Sequence, residues 1–265
     1  MDVPATFVAD PFMIYDNERW HMFFEVLNSS SNQGDIGYAW STNGLDWQYE
    51  KIVLDEPFHI SYPYVFKWNG FYYMIPESRK GSAVKLYKAA EFPFKWTFVR
   101  DLITGDYADS SIVYKDDKWW MFVLKNYDTL ALFYADSLTG LWTEHPKSPL
   151  VKGNMDISRP GGRIIIADGK MIRYVQDCHP EYGNAVRIFQ VDILTTTSYQ
   201  DHEIMKNPLL EASGSGWNSM GMHHIDPHPL NEGDWIACVD GKKNKIVFDL
   251  KAGASRILLL VRSII

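Results

Sequence analysis

The sequence predicts an all-β protein, specifically a five-bladed β-propeller built from four-stranded antiparallel blades. A unit made of a polar opener, an apolar run, a turn and an aromatic-rich run recurs five times. The openers lie roughly 47 to 67 residues apart, which accommodates four strands of ordinary length. The runs also lack the 3.6-residue period of helices. Repeats of this kind indicate one supersecondary unit stacked on itself, so we expect residues 1–265 to form a single propeller domain.

Each unit opens with a predicted hairpin. The five hairpins span Asp10–Glu25, Tyr62–Glu77, Asp109–Leu124, Arg159–Gln176 and Asp226–Asp240. Their turns carry the expected residues, namely Asp16-Asn17, Asn69-Gly70, Asp116-Asp117, Asp168-Gly169 and Glu232-Gly233. In a propeller the innermost strand leaves one face of the disc and the second strand returns to it. The opener and the last hairpin residue of each unit should therefore meet at one mouth of the central channel.

The outer two strands of a unit follow each hairpin. A third strand is predicted around Tyr38 in the first unit, and the turn Ser41–Trp47 then introduces a fourth. The next two units repeat this spacing of a tyrosine followed by a tryptophan. The C-terminal segment 257–265 is too short to cross a bilayer and contains Arg262, so we expect a strand there.

Composition limits the classes of function. Hydrophobic residues make up 46% of the chain and charged residues 22%, which allows a large core. The net charge of −7 argues against a nucleic-acid partner, because phosphate binding requires clustered Lys and Arg. Cys178 and Cys238 cannot form a disulfide framework and are expected to be buried thiols. No membrane span or signal peptide is visible, so a cytoplasmic location is expected if the chain is complete.

Alignment of the units predicts two rings of side chains at the channel mouth. The inner-strand ring is Asp10, Tyr62, Asp109, Arg159 and Asp226, and the returning-strand ring is Glu25, Glu77, Leu124, Gln176 and Asp240. Paired carboxyl groups suit glycoside hydrolysis, where one activates water or attacks the sugar and another protonates the leaving oxygen. We predict catalytic roles for Asp10, Glu77 and Asp109, since polar groups in a crowded channel cost desolvation unless they are used or paired. Glu25 and Asp240 are predicted to cap strand ends.

Short motifs in this order resemble known propeller families. Ala9-Asp10-Pro-Phe, Ala108-Asp109-Ser-Ser-Ile and the Ser41–Trp47 turn resemble the five-bladed glycoside hydrolases of families 43, 32 and 62. The propeller region of glucosamine inositolphosphorylceramide transferase-like proteins is a closer resemblance. Its pattern is echoed by Ser61-Tyr-Pro, Ile75-Pro-Glu-Ser78, Arg159-Pro-Gly-Gly-Arg163, Gln176-Asp-Cys and Tyr182-Gly. The resemblance covers nearly the whole chain, and its specificity lies in the order of the motifs.

The hydrolase resemblance implies roles for particular residues. It makes Asp10 the base or nucleophile, and Asp109 the residue that tunes the acid and holds the sugar. The general acid of those families is a Glu that opens blade four, where this chain has Arg159. Glu77, Asp177 or a histidine of the His223-His224 pair could replace it. If none does, the propeller binds glycans without cleaving them.

The remaining candidates are predicted to contact a ligand. Arg159 either clamps an anionic group of the ligand or neutralises the acidic ring through Asp10 or Glu77. His224, Asp226 and His228 alternate along one strand and could in principle hold zinc, but strand-capping or sugar-binding roles are favoured. The predicted substrate-binding residues are Tyr62, Arg159, Asp177, His223, His224 and Asp226. No metal ligand and no cofactor are predicted, although a channel cation such as calcium stays open.

Two functions are compatible with this sequence, both with a carbohydrate as the partner. The leading hypothesis is a glycoside hydrolase-like enzyme that acts on a glycan at the channel mouth. The alternative is a non-catalytic glycan-binding propeller accessory to a glycosyltransferase-type protein, which the missing blade-four Glu favours. A pure interaction scaffold is a third reading, which the polar mouth disfavours.

Overall fold

The computed structural model describes residues 2–205, 208–230 and 233–243, and the backbone of 244–245, 256–259 and 262–264. Regular structure in these residues is almost entirely strand, with two short 3-10 helices at Arg79–Gly81 and Gly216–Asn218. No helix within them is long and apolar enough to cross a bilayer. Both thiols are free and buried, as expected.

The first two units are regular four-stranded antiparallel blades. Blade one contains β1 (Ala5–Asp16), β2 (Arg19–Asn28), β3 (Gln33–Ser41) and β4 (Gln48–Leu54), paired in chain order. Blade two contains β5 (Ser61–Trp68), β6 (Phe71–Glu77), β7 (Ala83–Glu91) and β8 (Lys95–Thr104), also in chain order. The hairpins predicted from the repeat are thus the two inner strands of each blade.

The third and fourth units keep this order and each adds a short strand. Blade three contains β9 (Tyr107–Lys115), β10 (Lys118–Lys125), β11 (Thr129–Ala135) and β12 (Thr143–Glu144), with β13 (Val151–Lys152) also paired to β11. Blade four contains β14 (Arg159–Pro160), β16 (Lys170–Asp177), β17 (Ala185–Leu194) and β18 (Tyr199–Glu203), with β15 (Ile165–Ala167) also paired to β16. The innermost strand of blade four is therefore split in two.

The fifth unit differs from the prediction. It forms a three-stranded sheet from β19 (Ile225–Pro229), β20 (Trp235–Val239) and β23 (Arg262–Ile264), and a separate ladder from β21 (Lys242–Lys245) and β22 (Arg256–Leu259). The all-β class and the propeller arrangement of mainly four-stranded antiparallel sheets are confirmed. The count of five four-stranded blades is wrong: the described residues form four. Of the predicted turn Glu232-Gly233, the first residue lies outside the described residues.

Apolar packing links each unit to the next. One large buried cluster joins blades one, two and three, and further clusters join blade three to four and blade four to unit five. A fourth cluster packs Ile236 and Cys238 of unit five against Met13, Trp20 and Met22 of blade one. Unit five therefore lies between blade four and blade one, which brings the inner strands around a common centre.

The inner strands of blades one to three share a backbone irregularity. Asp10, Tyr62 and Asp109 have φ values of 51°, 43° and 49°, in the left-handed region that residues other than glycine seldom adopt. The register of each inner hairpin shifts at the same place. Bulges of this kind re-aim a side chain and are common beside functional sites. The repeat therefore gives these three residues the same backbone conformation at the same place in their blades.

Candidate functional site

Strand register fixes the returning-strand ring that the sequence predicts. Each returning residue is paired with one residue of the inner strand. The pairs are Glu25 with Ala9, Glu77 with Ser61, Leu124 with Ala108, and Gln176 with Arg159. Asp10, Tyr62 and Asp109 each follow such an opposing residue by one position. In blade four, Arg159 is itself the opposing residue, so the predicted inner ring is shifted by one there. The shift arises because residues 161–164, which include two glycines, interrupt the strand between β14 and β15.

Asp10 lies in a buried charged group with two residues of unit five. Its backbone N–H donates to Asp240 Oδ2 at 3.0 Å, and its Oδ1 is 3.6 Å from His223 Nε2. His223 Nδ1 is 2.6 Å from Asp240 Oδ1. Burial alone would lower the pKa of His223, but Asp240 and Asp10 raise it to about 9, so the ring is cationic at neutral pH. Burial, reinforced by Asp240 and Asp109, raises the pKa of Asp10 to about 7 against the opposing effect of His223.

Asp109 is held by blade four. Arg159 Nε donates to Asp109 Oδ2 at 2.5 Å, and Gln176 Nε2 donates to the same oxygen at 2.9 Å. The Arg159 guanidinium also stacks on the Tyr182 ring, 4.8 Å from its centroid. Arg159 is therefore bound to the acidic ring, but through Asp109 rather than through the predicted Asp10 or Glu77.

Two glutamates complete the acidic group. Glu77 accepts hydrogen bonds from Ser61 Oγ at 3.1 Å and from the Arg79 backbone N–H at 3.2 Å. Burial, with Asp109 adding to it, raises the pKa of Glu77 to about 7. Glu25 Oε1 is 3.3 Å from His59 Nε2. Burial and four surrounding carboxyl groups raise the pKa of Glu25 well above its usual range. Glu25 is therefore part of the charged mouth and not only a strand cap.

Two predicted ligand contacts lie in the packed interior. The Tyr62 hydroxyl is 2.8 Å from Ser111 Oγ, and both hydroxyls lie within hydrogen-bond distance of the Gly162 carbonyl oxygen. His224 is fully buried, with Nε2 2.9 Å from the Pro11 carbonyl oxygen and its ring against Phe12 and Tyr62. Burial lowers the pKa of His224 to about 4, so it is neutral near pH 7.

The structure does not bring Asp226 and Asp177 into this group. Asp226 accepts from the Met13 backbone N–H at 2.6 Å and from Arg163 Nε at 2.5 Å, deeper in the channel. Asp177 accepts two hydrogen bonds from Arg187, at 2.9 and 2.7 Å. Both carboxylates are buried and engaged with the fold.

A cavity of about 240 Å³ opens beside the acidic group. Its apolar wall comes from Phe7, Ala9 and Met222. Glu25, Tyr182, His223 and Lys242 supply its polar and aromatic lining. The volume lies below the roughly 300–1,000 Å³ of drug-sized ligand pockets, so it suits one small ring or the end of a longer molecule.

Asp10, His223 and Asp240 also meet a geometric requirement for metal binding. One ligand atom from each lies within 4.8 Å of the others. Asp240 orients the His223 ring through Nδ1, as acidic residues do for metal-binding histidines, which leaves Nε2 directed at Asp10. These residues could hold a divalent cation. The alternating residues His224, Asp226 and His228, for which zinc was the disfavoured reading, do not form such a group in the described part of the chain. His228 Nε2 instead lies 2.9 Å from Asp226 Oδ2.

Sequence reasoning gave no specific role to two residues of the central region. Arg163 Nη2 donates to the carbonyl oxygens of Val65 at 2.9 Å and Met13 at 3.3 Å, besides its bonds to Asp226. Tyr182 lies half-exposed over Arg159, with its edge against His223. Both belong to motifs of the resemblance, so the only available signal was family pattern, since neither occupies a repeated position.

Fold and mouth together define a β-propeller of glycoside hydrolase-like architecture. The chain belongs to the family described as glucosamine inositolphosphorylceramide transferase 1, N-terminal, whose model matches residues 1–242. It is 38% identical over 253 residues to glucosamine inositolphosphorylceramide transferase 1 of Oryza sativa subsp. japonica, and 35% identical to that of Arabidopsis thaliana. The matches cover 91% of this chain but only 34% and 33% of those relatives. The chain thus spans about a third of their length.

Solved structures share the fold at low identity. An α-L-arabinofuranosidase from Podospora anserina aligns with a TM-score of 0.70 at 12% identity, covering 98% of this chain and 91% of that one. An endo-1,4-beta-xylanase from Bacteroides thetaiotaomicron aligns with a TM-score of 0.67 at 13% identity, covering 99% of both chains. These likenesses confirm the propeller architecture that the resemblance implied.

Proposed function

We propose that this chain is a carbohydrate-binding propeller domain of a glycosyltransferase-type protein, with the sugar at the channel mouth. The observation that carries the proposal is the cavity, which combines an apolar wall, the Tyr182 ring and the polar groups of Glu25 and His223. Small-ligand sites typically combine apolar and aromatic walls with a few placed polar groups. Membership in a transferase family supports this reading.

Binding is favoured over cleavage because of Arg159. The hydrolase resemblance puts the general acid at the start of blade four, and an arginine stays protonated and cannot supply a proton there. Its guanidinium is bound to Asp109. Asp109 is thereby paired with a permanent cation inside the protein.

A second candidate function is glycoside hydrolysis. Burial raises the pKa of both Asp10 and Glu77 to about 7. Near neutral pH one of them can be ionised while the other is protonated. Acid–base hydrolysis requires this combination, because one carboxyl group must accept a proton or attack the sugar and the other must donate a proton. For this candidate Asp10 is the base or nucleophile and Glu77 the acid.

The binding proposal predicts an effect of Tyr182→Ala on a glycan array. We expect about tenfold weaker binding of the glycans that the unmodified chain binds, because the half-exposed ring is lost from the cavity wall. Tyr127→Ala is the matched control, since that exposed ring also stacks on an arginine at 4.8 Å but does not line the cavity. Absence of any glycan binding by the folded, unmodified chain would reject the proposal.

If the chain hydrolyses glycosides, Asp10→Asn should reduce the rate at which products form. Incubation with mixed plant and microbial polysaccharides should release reducing sugars with the unmodified chain, at a rate roughly 100-fold or more above that of the variant. Product analysis by chromatography provides the measurement. Glycan binding by both proteins without products would remove hydrolysis and leave the binding proposal standing.

A further inference from the structure

The aromatic wall of the cavity is carried by a loop. Blade one and unit five supply most of the lining, and blade four supplies Tyr182 and Gly183. These two residues lie in the loop of residues 178–184, which joins β16 to β17. The position of the Tyr182 ring therefore depends on what this loop contacts.

The loop meets unit five at a contact between two glycines. Gly221 has a φ of 156°, and a Cβ there would lie 2.1 Å from the Gly183 carbonyl oxygen. Only a residue without a side chain allows two backbones to approach so closely. Gly183 directly follows Tyr182, whose ring lies edge-on to His223 with the centroids 5.2 Å apart. The absence of a side chain at position 221 thus allows the aromatic wall to lie beside the imidazole.

Gly221 is held from its other side by β21. Its carbonyl oxygen accepts a hydrogen bond from the Lys242 backbone N–H at 2.9 Å. The Met220 backbone N–H donates to the Lys242 carbonyl oxygen, also at 2.9 Å. The bond from this segment to the loop is longer, with the Met222 N–H at 3.4 Å from the Asn184 carbonyl oxygen. A side chain at position 221 would therefore displace the loop rather than β21.

The side chain of Lys242 makes a second connection to the loop. Its Nζ donates to the Tyr182 carbonyl oxygen at 3.3 Å and lies 3.5 Å from Glu181 Oε2. Arg159 supports the same residue at its ring, 4.8 Å from the centroid. Tyr182 is thus held at its backbone by unit five and at its ring by blade four.

We propose that Gly221 and Lys242 are positioning residues of the ligand site, which hold the loop of residues 178–184 so that Tyr182 forms the wall of the cavity. Gly221 acts by letting the loop approach, and Lys242 acts by binding the loop backbone. Lys242 also lines the cavity, so its test must separate positioning from direct contact with the sugar. This inference rests on the proposed function and assigns residues that shape its site.

The first test measures the effect of Gly221→Ala on affinity, by isothermal titration calorimetry with the glycans that bind the unmodified chain on the array. A Cβ closer than 3.0 Å to another atom is essentially never found, so the loop must shift by about 1 Å. We expect binding about fivefold weaker. Gly214→Ala is the matched control and should leave affinity unchanged, because its φ is also positive, at 74°, and its Cβ would have no atom of the described residues within 4 Å.

The second test removes the ammonium group of Lys242. Lys242→Met should weaken binding about threefold, and Lys242→Arg should restore most of the loss because it keeps the charge and the N–H donors. Lys118→Met makes the same change in net charge at a lysine paired with Asp136 and should have no effect.

A double-variant cycle with Tyr182→Ala identifies positioning. The effects of Gly221→Ala and Lys242→Met should both disappear in the Tyr182→Ala background, because both residues act through that ring. A loss that persists there for Lys242→Met would make Lys242 a direct ligand contact and overturn its positioning role. Unchanged affinity of a folded Gly221→Ala would overturn the role of Gly221. If that variant does not fold, the Lys242→Met cycle decides alone.

Hydrogen exchange of the backbone amides of residues 178–184 separates failure of this inference from failure of the proposed function. Exchange should be faster in Gly221→Ala and Lys242→Met than in the unmodified chain and the two controls. Unchanged exchange together with glycan binding overturns the inference and keeps the carbohydrate-binding proposal. Faster exchange with a blank glycan array rejects the proposed function, and the two residues then serve the fold alone, which overturns their role at a ligand site.

Discussion

Asp226→Asn should lower the free energy of unfolding by about 3–5 kcal/mol, because it leaves Arg163, whose side chain is only 14% exposed, without its counter-ion. Asp226 is fully buried and accepts from Arg163 Nε at 2.5 Å, from the Met13 backbone N–H and from His228. Arg163 in turn bonds to carbonyl oxygens of blades one and two. The pair thus connects blade four and unit five to blades one and two, and its loss affects the centre of the propeller.

Urea unfolding of the variant beside two controls measures this effect. Asp136→Asn, at an exposed ion pair, should change stability by no more than about 0.5 kcal/mol. The double variant Asp226→Leu with Arg163→Met should be more stable than either single variant, since the uncompensated charge is gone. An Asp226→Asn midpoint equal to that of the unmodified chain would show that the pair does not stabilise the fold.

The same pair gives a pH dependence with a defined sign. Burial alone would raise the pKa of Asp226, but Arg163 and His228 hold it well below its usual range. Because the folded pKa lies below the unfolded value of about 3.9, this carboxylate stabilises the fold above that pH and less as the pH falls. The stability difference between the unmodified chain and Asp226→Asn should therefore narrow below about pH 3.9.

The repeat explains why the architecture and part of the mouth were predictable. Local turn chemistry and alternating aromatic runs specify the inner hairpins, so Glu25 and Glu77 could be placed at the channel mouth from spacing alone. The bulges of blades one to three preserve this spacing, and Asp10 and Asp109 consequently fell at the mouth as predicted. In blade four, residues 161–164, which include two glycines, break the inner strand, so the alignment of the units is one residue out of register there.

Residues outside the repeat account for what the sequence could not predict. Gly162 has a φ of 149°, and a Cβ there would lie 1.8 Å from the Ile225 carbonyl oxygen. This contact between blade four and unit five forms only in the folded chain and has no local signature. The same holds for the Arg163–Asp226 pair, whose partners are 63 residues apart. His223 likewise reaches Asp10 only because unit five packs against blade one.

Asp10→Asn should stabilise the fold near pH 8 by about 1–3 kcal/mol while weakening ligand binding or hydrolysis at the mouth. Burial, with Asp240 and Asp109, raises the pKa of Asp10 to about 7, above its unfolded value, so the carboxyl group favours folding at low pH and progressively less up to about pH 7. The variant has no carboxyl group to ionise at this position, so it does not lose this stability as the pH rises. Near pH 4 its free energy of unfolding should equal that of the unmodified chain.

The backbone at Asp10 allows this substitution a matched control. Asparagine tolerates the left-handed region at least as well as aspartate does, so the φ of 51° adds no strain on substitution. Asp168→Asn makes the same change at a φ of 50° on an exposed turn and should leave stability within about 0.5 kcal/mol. Urea unfolding at pH 4 and pH 8 compares the two variants.

A less stable Asp10→Asn at pH 8 would mean that Asp10 serves the fold as a partner of His223. A more stable variant with weaker ligand binding would mean that the chain retains a destabilising carboxylate for its function.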